Sequence, residues 1–142
     1  MAGTLIGGVA NDRFGSRRTL TVQLAVLGGT MALLPLTAGS WRALVLVLLA
    51  WGTAGFGMMA PQQSRLTALA PAQAPVLLSL NTSMLYLGTA GGAVVGGALA
   101  SDLGFARLGW AGVPFVALAL VVLWLGPTLQ ALPHPAAKER NA

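Results

Sequence analysis

The sequence has no cysteine, one histidine and three acidic residues in 142 positions. The absence of cysteine excludes disulfides, thiolate metal sites and cysteine nucleophiles. His134 stands alone, and a single histidine without partners forms neither a metal site nor a catalytic base. We therefore expect no enzymatic activity, no bound metal and no cofactor.

Charged residues make up only 8% of the chain, whereas hydrophobic residues make up 56%. A soluble domain carries about 25% charged residues, so this chain cannot present a wettable surface and its solvent is lipid. The formal net charge of +5 is spread over too few and too scattered positions for a nucleic-acid groove. In a membrane protein, a basic excess marks the loops on the cytoplasmic side.

The eight basic and three acidic residues all fall outside four long uncharged runs, 19–38, 43–61, 77–99 and 110–129. Each run has about 20 residues, which as a helix covers a hydrocarbon core of roughly 30 Å. Because backbone groups in lipid must satisfy one another, the runs are expected to be helices. We predict an all-α membrane protein, a bundle of four full transmembrane helices.

The first ten residues, 1–10, are also apolar, but as a helix of about 15 Å they cover only half a bilayer. We interpret them as a partial span, the end of a helix whose beginning is missing. The alternative is a short interfacial segment after a true start. At the other end, residues 130–142 are predicted to form a polar tail.

The basic residues predict the orientation of the chain. Six lie on the side that holds 11–18, 62–76 and the tail, and only Arg42 and Arg107 lie on the other side. Cytoplasmic loops are enriched in lysine and arginine, so we expect the first side, with the C-terminus, to face the cytoplasm across the inner cell membrane. The six basic residues are Arg13, Arg17, Arg18, Arg65, Lys138 and Arg140.

The strongest local signal runs from Gly8 to Arg18. One helix is expected to end near Ala10 and the next to begin near Thr19, with glycines that permit a tight turn and close helix approach. Asp12 and its basic neighbours would then meet the ends of adjacent helices and form an ionic clamp, which can make and break between conformations. The alternative is a plain positive anchor on the cytoplasmic side.

This run resembles the "motif A" loop of major facilitator superfamily transporters. The motif reads glycine, three residues, an acid, arginine or lysine, any residue, glycine, one residue and two basic residues. It lies on the cytoplasmic face between helices 2 and 3 of that family, with a weaker copy between helices 8 and 9. The resemblance implies a gate loop, and every slot is filled here by Gly8, Asp12, Arg13, Gly15, Arg17 and Arg18.

Three features favour the copy between helices 8 and 9. In the N-terminal half of the family's drug exporters, the second span after the motif carries an arginine, which the run 43–61 lacks. The next span there carries a Gly-Pro pair, which 88–97 lacks. Finally, the chain stops after four spans. We therefore expect 1–10 to be the end of helix 8, followed by helices 9 to 12. The stretches 61–66 and 80–88 also resemble the helix 10 to 11 region of the arabinose-efflux-like branch of drug:proton antiporters.

The resemblance implies a role in secondary transport, with efflux of small organic molecules by alternating access. The expected partners are the lipid bilayer, a small-molecule substrate and the missing N-terminal half. Polar residues near the middle of spans usually face the bundle interior or a wet cavity. We predict that Thr53, Asn81 and Tyr86 line the substrate path, and the alternative for each is a structural hydrogen bond.

Gly88, Gly92 and Gly96 recur every four residues within one run. Ridges of small residues let two membrane helices approach closely, so we predict a helix-packing role for these glycines. A nucleotide-binding interpretation is poor, because no strand precedes them and they lie in a membrane span.

Two other functions remain open. A complete four-helix exporter acting as a dimer would need an intramembrane carboxylate for proton coupling, and the four uncharged runs contain none. A non-transporting membrane scaffold would tolerate the glycine ridge but has no need for the hairpin that carries Asp12 and Arg13.

Overall fold

The computed structural model describes residues 2–37, 39–104 and 107–130. Every regular element in these ranges is helical, and four helical segments are long and apolar enough to cross a membrane. The prediction of an all-α membrane protein with four full spans is confirmed. The helices are α1 (Ala2–Phe14), α2 (Ser16–Leu33), α3 (Trp41–Gly57), α4 (Met59–Leu69), α5 (Ala74–Leu103) and α6 (Leu108–Gln130).

Two short 3₁₀ turns, Leu34–Thr37 and Pro71–Gln73, join these helices. The first follows α2 at the point where Pro35 removes a backbone N–H. Helix α1 has 13 residues and is not among the four segments long enough to span a membrane. The predicted tail, 130–142, lies outside the described residues except for Gln130.

Helix α1 does not end near Ala10, and α2 does not begin near Thr19. Helix α1 continues to Phe14 and α2 begins at Ser16, so the turn between them is the single residue Gly15. Its φ of 79° and ψ of 156° lie in a region that is nearly exclusive to glycine. One residue therefore reverses the chain, and the charged residues remain helical instead of forming an open loop.

The second span is built from two helices that meet at Met58. Pro61 has no N–H for the carbonyl of Gly57, so the regular helix stops there, and Met58 N–H instead reaches the carbonyl of Gly55 at 3.4 Å. Because proline is compatible with a first helical turn, the chain continues as α4 to Leu69 rather than ending at Pro61.

Helix α2 is the centre of the bundle and packs against α1, α3, α4 and α6. Its core contact with α6 is apolar, and most other large apolar side chains are exposed, as expected for a surface in lipid. Helix α5 lies to one side against α4 and α6, and none of residues 74–102 is buried. The buried core comprises Leu20, Leu24, Val116 and Leu123.

Candidate functional site

The motif residues lie on either side of the turn at Gly15. The turn is closed by two backbone bonds, Gly15 N–H to the Asn11 carbonyl at 2.9 Å and Thr19 N–H to the Gly15 carbonyl at 3.2 Å. The hydroxyl of Ser16 also donates to Oδ1 of Asn11 at 2.7 Å. These bonds fix the angle between α1 and α2, and with it the positions of the charged side chains around the turn.

The acidic and basic side chains of the turn do not form the expected ionic clamp. Asp12, Arg13 and Arg18 are exposed, and the part of the chain that the structure describes holds no ion pair. Arg13 lies over the ring of its neighbour Phe14, with 5.6 Å from Cζ to the ring centroid. The Asp12 carboxylate is therefore open to a group that does not belong to the described residues.

Arg17 is the one motif side chain with a long-range partner among those described. Its Nη2 donates to the carbonyl of Trp124 at 3.3 Å, and its Cζ lies 4.3 Å from the Trp124 ring centroid. A guanidinium over an indole face gains a cation–π attraction in addition to the hydrogen bond. This contact joins the start of α2 to α6, although the two residues are 107 positions apart in the sequence. No local sequence pattern predicts it.

Gly8 has the spacing of the motif but makes no close contact, because a Cβ built on it would meet no atom within 4 Å. Its neighbour Gly7 lies against the backbone of Gly57, and Gly3 lies one turn earlier, where a Cβ would be 2.8 Å from the Thr53 carbonyl oxygen. The close approach of α1 to α3 therefore depends on Gly3 and Gly7. The Gly-x-x-x-Gly spacing of Gly3 and Gly7 is the sequence feature from which this close helix packing could have been predicted.

The three predicted substrate-lining residues are not brought together as one group. The hydroxyl of Thr53 donates to the Leu49 carbonyl at 2.7 Å, and Oδ1 of Asn81 accepts from Nε2 of Gln62 at 2.8 Å. Tyr86 is 70% exposed on α5. Thr53 and Asn81 therefore make the structural hydrogen bonds of the alternative interpretation, and Tyr86 has a free surface.

The glycine ridge on α5 does not pack against another helix among the described residues. A Cβ on Gly88, Gly92 or Gly96 would meet nothing within 4 Å. These glycines instead line an open, mostly apolar groove of about 760 Å³, whose other wall is formed by α2, α6 and Trp51 of α3. Close contacts at glycines are found instead between α1 and α3, between α2 and α6, between Gly57 and Gln23 of α2, and between Gly126 and Arg65 of α4.

Two side chains on α2 hold buried polar atoms and were not among the predicted site residues. Gln23 is 9% exposed and Thr19 is 5% exposed, and neither Oε1 of Gln23 nor Oγ1 of Thr19 has a hydrogen-bond partner. They lie one helical turn apart, so they form a polar stripe on α2. Gln23 reaches the break in the second span, since a Cβ on Gly57 would lie 2.5 Å from its Nε2.

Comparison with known proteins gives consistent matches. A family model described as Major Facilitator Superfamily matches residues 1–142. An uncharacterized MFS-type transporter of Bacillus subtilis, YbcL, is 29% identical over 99% of this chain and 36% of its own length. The 3-(3-hydroxy-phenyl)propionate transporter of Escherichia coli is 31% identical over 88% of this chain and 31% of its own length.

The chain thus spans about a third of the length of these curated relatives. No solved structure gives a significant match.

Proposed function

This chain belongs to the major facilitator superfamily, and we propose that it forms part of a secondary transporter that moves small organic molecules by alternating access. Two observations support the proposal: the family match extends over residues 1–142, and the relatives named as transporters align over nearly all of the chain. Four helical spans supply the required membrane architecture.

We further propose that the chain supplies the end of helix 8 and helices 9 to 12 of a twelve-helix protein. The relatives are about three times as long as their aligned parts, which supports a contribution of one third. The run 43–61 also lacks the arginine expected in the N-terminal half. The proposed direction of transport is efflux, as in drug:proton antiporters, because the stretches 61–66 and 80–88 resemble the helix 10 to 11 region of that branch.

The α1–α2 turn is the proposed gate, and its geometry is the observation that carries this function. Arg17 anchors the turn to α6, whereas Asp12 is exposed and has no partner among the described residues. An anchored turn that presents a free carboxylate can pair with the other half of the transporter in one state and release it in the next. We assign this pairing to Asp12.

The substrate path is proposed to run along α3 and α5. Tyr86 has an exposed side chain on α5, and Thr53 and Asn81 lie on α3 and α5, the two helices that would border the path. The open face of Gly88, Gly92 and Gly96 is proposed to receive a helix from the missing half, because small residues permit close packing.

Replacing Asp12 by alanine in an intact transporter that contains this chain tests the gate. The initial transport rate is expected to fall about tenfold, the size of a typical coupling between two conformational states. Asp102→Ala is the matched control, since Asp102 is also exposed but lies at the end of α5. The assay uses a lipophilic cationic drug in one arm and 3-(3-hydroxyphenyl)propionate in the other.

Each rival function has its own outcome. Unchanged transport in Asp12→Ala would favour a plain anchor or a scaffold. Transport by the isolated chain in vesicles, together with crosslinked dimers, would support the small four-helix exporter instead. Transport of the aromatic acid alone would overturn the proposed drug efflux while retaining the gate.

A further inference from the structure

Helix α2 ends at a proline, and the break leaves two carbonyl groups without their usual helical partners. Pro35 has no N–H, so the carbonyl of Met31, four residues earlier, receives no hydrogen bond from it. The chain continues as the 3₁₀ turn Leu34–Thr37, in which each N–H bonds the carbonyl three residues back instead of four. The carbonyl of Ala32 therefore also loses the N–H of Leu36 that an α-helix would supply.

The start of α6 covers both of these carbonyls. The indole N–H of Trp110 donates to the carbonyl of Ala32 at 3.0 Å, although the two residues are 78 positions apart in the sequence. Gly109 lies against the other carbonyl, because a Cβ built on it would be 2.6 Å from the Met31 oxygen. Gly112 lies against the side chain of Met31, where a Cβ would be 2.6 Å from Cε. The two glycines thus bring α6 close enough for the indole to reach Ala32.

Helix α2 is joined to α6 near both of its ends, and the two connections differ. Near its start, Arg17 donates to the Trp124 carbonyl from a regular part of the helix. At its other end, Trp110 holds Ala32 at the break, about 21 Å away from Trp124 along α6. Hinges are formed by a few residues at the ends of elements, which absorb changes in φ and ψ. Release of the second connection would let the end of α2 move while its start stays on α6.

The position of Trp110 keeps the cost of release small. Its side chain is 50% exposed, and it lies three residues after Arg107, at the edge of the uncharged run 110–129. Tryptophan favours the level of the lipid headgroups, where a water molecule can replace the indole on the Ala32 carbonyl. In the hydrocarbon core the same carbonyl would have no substitute. The closed and released forms therefore differ by about one hydrogen bond between helices.

We propose that the Trp110 indole is a latch that holds the end of α2 on α6, and that the 3₁₀ turn Leu34–Thr37 is the hinge. The hinge also lines an open, mostly apolar groove of about 730 Å³, whose other walls are formed by α3 and by Leu108 and Gly109 of α6. When the latch is released, the end of α2 moves away from α6 and the groove widens. The proposal does not rest on transport, since it uses only contacts within this chain.

Distance measurements between two spin labels, on the full chain in phospholipid nanodiscs, test the latch. The labels are attached to Leu36→Cys on the hinge and Leu118→Cys on α6, which are 71% and 61% exposed in a chain without cysteine. Trp110→Phe keeps an aromatic ring but removes the N–H donor. It is expected to raise the ratio of the longer-distance to the shorter-distance population about threefold, the factor for one average hydrogen bond between membrane helices.

Trp41→Phe is the matched control at the same end of the bundle. The indole N–H of Trp41 makes no hydrogen bond within the part of the chain that the structure describes, so the distance distribution should not change. Gly109→Ala acts on the latch from the other side, because the added methyl group would collide with the Met31 carbonyl. It is expected to raise the longer-distance population as Trp110→Phe does. Circular dichroism is expected to show the same helix content in all variants.

Pro35→Ala separates the latch from a general packing effect. Alanine supplies the missing N–H and lets α2 continue as an α-helix, so that Ala32 regains a backbone partner and the indole becomes redundant. Trp110→Phe is therefore expected to have no effect in the Pro35→Ala background. No change in either Trp110→Phe or Gly109→Ala with Pro35 present would overturn the latch. An equal effect of Trp110→Phe with and without Pro35 would overturn the hinge.

Discussion

The contribution of a buried polar side chain to stability depends on whether it finds a hydrogen-bond partner, and Gln23 is a case without one for its Oε1. Its amide is nine-tenths buried on α2, beside the break in the second span, and Oε1 has no hydrogen-bond partner. An unsatisfied buried polar group costs about 1–3 kcal/mol. Gln62 is the contrasting residue, because its Nε2 donates to Asn81 at 2.8 Å and joins α4 to α5.

Gln23→Met is therefore expected to leave the free energy of unfolding unchanged or to raise it by about 1 kcal/mol, since methionine fills the same space without an unpaired acceptor. The measurement is reversible unfolding in mixed detergent micelles. Gln62→Met is the matched control and is expected to lower the unfolding free energy by about 0.6 kcal/mol, the average for a hydrogen bond between membrane helices. A larger loss for Gln23→Met than for Gln62→Met would contradict this assignment.

The pair of helices α1 and α3 is joined by backbone contact rather than by large side chains. Gly3 and Gly7 on α1 face the carbonyls of Thr53 and Gly57 on α3, so that two ridges of equal period meet. The carbonyl of Gly57 loses its usual partner because Pro61 has no N–H, and it lies directly against Gly7. The close approach of the two backbones leaves room for weak Cα–H···O contacts between the helices.

Gly7→Ala is expected to lower the free energy of unfolding by about 1–3 kcal/mol, because the added methyl group would collide with the backbone of Gly57. The loss can be measured by the same unfolding titration. Gly8→Ala is the control on the same helix, where the added group has open space, and its change should stay within about 0.5 kcal/mol. Equal effects at the two positions would show that α1 does not pack on α3 in this register.

The whole molecule is a compact set of helices around α2 with α5 attached at its side. Helix α5 buries none of residues 74–102 and presents its glycines to an open groove. Such a surface is suited to a further helix, in line with a chain that spans about a third of its relatives. Which side of the membrane each end faces is a property of the whole molecule and is tested on the intact chain.

Single cysteines at Ser16 and Ser40 test this orientation in a chain that otherwise contains no cysteine. A membrane-impermeant thiol reagent outside intact cells is expected to label the cysteine at 40 and not that at 16, because the distribution of basic residues predicts that the turn at Gly15 faces the cytoplasm. The two substitutions are matched, since each removes one hydroxyl hydrogen bond. Labelling at 16 with protection at 40 would show the opposite orientation. It would then contradict the proposal that the α1–α2 turn is a cytoplasmic gate.

The number of spans and their helical nature follow from the sequence alone. Uncharged runs of about 20 residues cross a bilayer only as helices, because lipid offers no partner for a backbone N–H or carbonyl. A tight turn between Ala10 and Thr19 was also predicted, although only the structure reduced it to the single residue Gly15. In each case the information is local, carried by a run of residues or by one glycine.

Only the tertiary structure decided which residues of these helices meet. Gly7 packs while Gly8 does not, the ridge at Gly88 stays open, and Arg17 finds Trp124. Lipid chains are as apolar as leucine side chains, so the faces toward lipid and toward another helix have similar compositions. The rotation of each helix therefore leaves little trace in the pattern of apolar residues, and it is set by contacts between positions far apart in the chain.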